Sequence, residues 1–150
     1  MTRGFFGIGI FHAKKEENVG TLWRSAYIYG ASYIFTIGRR YDEQASDTTK
    51  AWRHIPLNHY SDWEDFFTHI PHNARIIGIE TEGWPLKSFV HPQEAVYLLG
   101  AEDHGLTPEV IARCHKTVSA ETPRCISLNV AVAGSIVMYD RYIKNGGYYL

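Results

Sequence analysis

The sequence predicts an α/β fold, a mostly parallel sheet with helices on both faces. Short apolar runs rich in β-branched and aromatic residues alternate along the chain with segments of helical period. The runs are apolar throughout rather than at every second residue, the pattern of strands covered on both sides. The last helical segment is apolar nearly all the way round and must therefore be buried on every face.

Taken in order, Gly4 to Phe11 is the first buried strand, and Asn18 to Ala31 is a helix with Leu22, Ala26 and Tyr29 or Tyr33 on one face. Tyr33 to Ile37 is a second strand, ended by Gly38 and the polar stretch Arg39 to Lys50. Ser61 and Glu64 have capping-box spacing ahead of Phe66 and Phe67, which opens a short helix. Arg75 to Glu80 and Ala95 to Leu99 are two further strands. Thr107-Pro108 combines an N-cap with proline at the first helical position, and Lys116 to Ala120 reads as an edge strand. The final helix runs from Ser127 to about Ile143, with Ser127 as its ordinary N-cap. One side of it is expected to pack on the sheet and the other on a second subunit.

At 150 residues the chain is expected to form one domain, residues 1–150, able to bury its core without a disulfide or metal staple. Fifteen Lys and Arg against sixteen Asp and Glu give a formal charge of -1, which excludes a generally basic coat but allows a local basic face. The high aromatic content, 14%, is expected to serve the core and subunit contacts. Two cysteines, Cys114 and Cys125, make no scaffold, and Lys14 and Lys15 arrive too early for a signal peptide. No apolar run approaches the roughly 20 residues of a membrane span. A soluble cytoplasmic protein is expected.

Several motifs fail. His12 occupies the third glycine position of a GxGxxG pattern begun at Gly7, and Leu106 stands where a phosphate-binding loop would carry lysine. The eight histidines show no metal-ligand spacing, and no serine elbow or cysteine–base pair appears. No metal is expected.

Three segments carry more than structure. In Asn18-Val19-Gly20-Thr21-Leu22-Trp23-Arg24-Ser25-Ala26, an Asn N-cap opens a helix whose Arg24 can reach back over the helix N-terminus, a phosphate site in physical terms. Gly100-Ala101-Glu102-Asp103-His104-Gly105-Leu106 brackets acidic residues with glycines at a strand's carboxyl end, where a ligand can approach the backbone. Ser127-Leu128-Asn129 places polar groups at the start of the most apolar helix, where Asn129 needs a partner.

Together these segments resemble the three motifs of the SpoU (TrmH-like) branch of the SPOUT RNA methyltransferases. Asn18, Gly20, Arg24 and Ala26 match N-x-G-x-x-x-R-x-A; Gly100, Glu102, Gly105 and Leu106 match G-x-E-x-x-G-L; Ser127, Leu128 and Asn129 match S-L-N. The resemblance covers about Phe6 to Tyr142. One departure is clear: Ser119-Ala120-Glu121 stands where the family has Ile-Pro-Met, in a loop that lines its cofactor pocket.

The resemblance implies a C-terminal trefoil knot, S-adenosylmethionine as cofactor, and a homodimer of the minimal single-domain type. The reaction it implies is methyl transfer to a ribose 2′-hydroxyl of RNA, in tRNA first and rRNA next. Residues implied for catalysis are Asn18, Arg24, Glu102, Ser127 and Asn129. Those implied for the cofactor are Ile79, Thr81, Gly83, Leu99, Gly100, Ser119, Ile126, Ser127 and Leu128. The family's proposed proton acceptor corresponds to Arg24, but a guanidinium with pKa above about 12 is a poor base. An electrostatic role toward the phosphate and the developing alkoxide suits it better. Glu102 either orients the substrate or holds its loop. Arg24, Arg39, Arg40 and Arg53 are the candidate RNA contacts, with Arg39 and Arg40 at the end of the second strand. Two other readings remain open at this point: a catalytically silent RNA-binding relative, and a nucleotide-dependent enzyme unrelated to RNA.

Overall fold

The computed structural model describes residues 4–39, 50–124 and 126–145. Its strands are β1 (Phe5–Phe11), β2 (Tyr33–Ile37), β3 (Leu57–Tyr60), β4 (Arg75–Pro85), β5 (Glu94–Leu99) and β6 (Lys116–Ser119). Its helices are α1 (Glu16–Ile28), α2 (Trp63–His69), α3 (Pro108–Arg113) and α4 (Val130–Lys144). The strands form one sheet in the order β3-β2-β1-β5-β4-β6, and every pairing is parallel.

Period-two alternation divides the interior between two faces. Along β5, Ala95, Tyr97 and Leu99 join a core under α1 and α4 with Ile8, Leu22, Trp23, Val137 and Met138. Val96 and Leu98 point the other way, into a core with Phe35, Phe66, Leu106 and Val110 beneath α2 and α3. Both faces are covered, which is why these strands read as continuous apolar runs. Helices α1 and α4 pack closely at Gly134, where an added Cβ would lie 2.7 Å from Leu22 Cδ1 and 3.0 Å from Leu99 Cδ1.

The chain builds outward from β1 through β2 to β3, then crosses the sheet to β4 and returns to place β5 beside β1. The carboxyl ends of β1 and β5 are thus a topological switch point, the usual place for a ligand in an open α/β sheet. Beyond it β4 bulges. Ile79 and Trp84 both pair with Val118 of β6, so residues 80–83 loop out at the same edge of the sheet.

Four expectations shift. Helix α1 begins at Glu16 with Lys15 as its N-cap, so Asn18 is inside the first turn and not the cap. Asp62, not Ser61, caps α2 by accepting from the Asp65 N–H; the neighbouring acidic pair does what Ser61 and Glu64 were expected to do. Helix α4 begins at Val130 with Asn129 as N-cap, leaving Ser127 in the preceding loop. Strand β4 continues to Pro85, five residues beyond the compact apolar run. Strand β3, a short polar edge segment, carries no apolar signal of its own.

Candidate active site

Glu102 lies in the loop after β5 and reaches across to the turn between β1 and α1. Its carboxylate accepts the Lys14 N–H at 3.0 Å, the Lys15 N–H at 3.2 Å and the Asn18 side-chain amide at 2.9 Å. Asn18 in turn accepts from the Asn129 amide at 3.0 Å. Asn129 spends its own oxygen on the Ala131 and Val132 N–H groups, at 2.9 and 3.2 Å, and so caps α4. One hydrogen-bonded chain therefore joins the loops after β1 and β5 to the start of α4.

In this geometry Glu102 holds the loops together. It also changes the reading of the α1 N-terminus. The Lys14 and Lys15 amides leading into the helix, part of a ready anion site in principle, already have their anion in Glu102. Burial alone would raise the Glu102 carboxyl, but hydrogen bonds from Asn18 and from the Glu102, Lys14 and Lys15 main chain outweigh it, leaving it below the usual carboxylate range. Lys14 adds an ion pair with Asp103 of the same loop.

The same loop is fixed at its far end by a residue that sequence reasoning missed. Glu80, in the β4 bulge, accepts the Leu106 N–H. A carboxylate closing the apolar run Ile76 to Ile79 was the available signal. Gly100 is required for the loop to close, since a Cβ there would sit 2.1 Å from the Gly105 carbonyl carbon.

The candidate cofactor residues gather on the adjacent stretch of the carboxyl edge. Ile79 and Leu99 are register partners, both buried. Ser119 donates its hydroxyl to the Thr81 carbonyl at 3.0 Å, and Gly83 lies so close to Val118 that a Cβ would meet its backbone at 2.7 Å. Ser127 is exposed, as are Ile126 and Leu128, the latter two at 72% and 36%. Exposed apolar side chains such as these suit the faces of a flat heteroaromatic ring. In the altered loop, Glu121 accepts the Lys87 N–H at 3.3 Å, fastening the loop to the turn after β4.

The candidate RNA residues are not all brought together. Arg24 is exposed on α1. Arg39 donates to the Lys14 carbonyl at 3.0 Å and so belongs to the Glu102 cluster. Arg40 lies outside the described residues. Arg53 lies over the Trp52 ring, in a turn whose neighbour His54 stacks on Tyr27 near the far end of α1 from Asn18. Among the described residues no group of His, Cys, Asp and Glu is arranged to hold a metal. A cavity of about 270 Å³ lined by Phe67, His72, Arg113 and His115 lies by the amino end of β4, away from this cluster.

Fold and cluster together define a ligand-binding α/β protein whose three functional loops meet at the carboxyl edge of a parallel sheet. The chain belongs to the SpoU rRNA Methylase family, whose model matches residues 6–139. Among solved structures, one described as giving insight into the 2-OH methylation of C/U34 on tRNA is 23% identical, with a TM-score of 0.86, covering 98% of this chain and 100% of its own. The SpoU methyltransferase AviRb from Streptomyces viridochromogenes, in complex with AdoMet, is 21% identical with a TM-score of 0.83, and 93% of this chain covers 57% of it. An AdoMet-bound rRNA methyltransferase from Sinorhizobium meliloti is 22% identical with a TM-score of 0.82, and 95% of this chain covers 57% of it. At these identities the likeness is one of fold. No curated protein matches the sequence. The trefoil knot is what family membership implies.

Proposed function

We propose that this chain, acting as a single catalytic domain, transfers a methyl group from S-adenosylmethionine to a ribose 2′-hydroxyl of tRNA. The observation that carries the reading is the chain Glu102–Asn18–Asn129, which gives the three family motifs one shared rigid framework. Transfer RNA is favoured because the neighbour described with 2-OH methylation of C/U34 on tRNA matches 98% of this chain with a TM-score of 0.86.

The cofactor, when bound, supplies the activated methyl group on a sulfonium. In-line transfer then needs alignment more than acid–base power, and well-oriented groups gain roughly 7–11 kcal/mol from being held in place. Leu99, Gly100, Ile79, Thr81, Gly83, Ser119 and the loop Ile126 to Leu128 would hold the cofactor at the β4–β5–β6 edge. Glu102, Asn18 and Asn129 act as positioning residues, fixing that edge against the start of α1. Arg24 binds the RNA phosphate and stabilises the developing alkoxide, and Ser127, exposed in its loop, is left to meet the substrate side. Arg39 holds its side of the basic face to the Lys14 turn; Arg40 and Arg53 remain proposed contacts.

The functional unit is a homodimer. Val132, Ile136, Tyr139 and Ile143 form an exposed stripe along α4 at helical spacing, and Ile28 is exposed on the neighbouring α1. A contiguous apolar patch of this kind is the mark of a protein contact. Among the described residues no helix is long and apolar enough to cross a membrane, and a cytoplasmic location is proposed with the tRNA substrate. Calorimetry with S-adenosylmethionine, followed by radiolabelled methyl transfer to unmodified tRNA and rRNA, tests the reading. Binding with transfer to tRNA supports it; RNA binding without cofactor binding would establish the silent relative instead.

A further inference from the structure

At the carboxyl end of β1 the backbone adopts an uncommon geometry to present one side chain. His12 has φ +58, in the left-handed region that non-glycine residues avoid; among the described residues only Lys50 shares it. Its N–H is held by the Ile37 carbonyl at 2.8 Å. The facing residue at the end of β2 is Gly38, also at positive φ, where a Cβ would come within 2.4 Å of the imidazole. Two backbone irregularities on neighbouring strands therefore make room for the same ring.

The ring itself is exposed and stacked on Phe11, with centroids 4.2 Å apart and planes 15° from parallel. Phe11 rests on Trp63 at 5.3 Å, so the stack runs from the surface to the α2 core. Strain of this kind persists only where the surroundings over-determine it, and it concentrates at functional positions. His12 lies two residues from Lys14, whose N–H binds Glu102 and whose carbonyl holds Arg39. Aromatic surface, basic side chains and the proposed transfer site thus share one edge of the sheet.

We propose that His12, backed by Phe11, is a stacking ledge for an unpaired base of the RNA substrate. This rests on reading the chain as an RNA ribose methyltransferase. A base splayed out beside the reacting ribose is held most simply on an aromatic face. Such stacking tolerates any base, so the ledge positions the strand and does not read its sequence.

The test compares native protein, His12→Gly and His12→Phe by fluorescence anisotropy on two labelled RNAs. One is a stem with a short unpaired loop; the other is the same stem with an abasic loop. Glycine accepts the left-handed backbone, which offsets much of the freedom it adds to the unfolded chain, so His12→Gly should still unfold in one cooperative transition. It should nevertheless bind the base-bearing RNA roughly tenfold more weakly, the scale of one lost base–aromatic stack. Its affinity for the abasic RNA and, by calorimetry, for S-adenosylmethionine should be unchanged. His12→Phe should retain most of the native RNA affinity. Equal loss on both RNAs, or no loss in His12→Gly, would overturn the ledge while leaving the enzyme reading intact. If native protein binds neither RNA, both fall together.

Discussion

Removing the Glu102 carboxylate should loosen three loops at once. In Glu102→Ala the Lys14 and Lys15 N–H groups lose their acceptor, but they lie on an exposed turn and can turn to water. Each such exchange costs about 0.5–1 kcal/mol. The Asn18 amide is different: Asn18 is 6% exposed, and leaving it unpaired costs about 1–3 kcal/mol. Loss of an anion at the start of α1 adds about 0.3–1 kcal/mol. The expected total is about 2–6 kcal/mol, or roughly 5–20 °C in melting temperature for a domain of this size. Calorimetric unfolding of Glu102→Ala, Asn18→Ala and the double variant measures both the loss and its coupling. Residues in one network should show non-additivity of at least about 0.5 kcal/mol. A loss below that in Glu102→Ala, additive with Asn18→Ala, would refute the bracing role.

Arg24→Ala should keep its affinity for S-adenosylmethionine while losing methyl transfer; a cofactor affinity down tenfold or more would move Arg24 to the other side of the site. Charge placed on the exposed α4 stripe, as in Ile136→Asp, should convert a dimer to a monomer in light scattering, and a native protein already monomeric at micromolar concentration contradicts the interface. Stability should also fall in mild acid through His91. Burial holds this imidazole below its ordinary value of 6.5 despite the neighbouring Asp140 carboxylate, and it bonds Tyr97 and Asp140 at 2.7 Å each. The unfolded chain therefore takes up a proton near pH 6.5 that the folded protein resists, so stability declines below that pH by at most about 1.4 kcal/mol per pH unit. The decline ends once the folded protein is itself protonated. His91→Gln should flatten that part of a denaturant-midpoint profile, and a profile unchanged between pH 6.5 and 5 would contradict it.

The buried strands were legible because sheets covered on both faces leave continuous apolar runs, and β1, β2 and β5 were placed within a residue or two. What escaped had no local signal. β3 is a polar edge segment, recognisable only once β2 lies beside it. The β4 bulge depends on how β6 pairs with it. The three motifs were readable as segments, but not what Asn18 and Asn129 do. Each was weighed as part of a helix start, and their principal contacts are with residues 84 and 111 positions away. Arg53 illustrates the converse: the sequence groups it with Arg39 as a candidate RNA contact, and the fold puts its turn against the end of α1.

The central claim, a ribose 2′-O-methyltransferase organised by the Glu102–Asn18–Asn129 chain, is tested most directly by mapping 2′-O-methylation in RNA from cells lacking the gene. One or more tRNA nucleotides should lose the mark, regain it with the native gene, and fail to regain it with Arg24→Ala. An RNA methylation map unchanged by the deletion, or restored equally by Arg24→Ala, would contradict it.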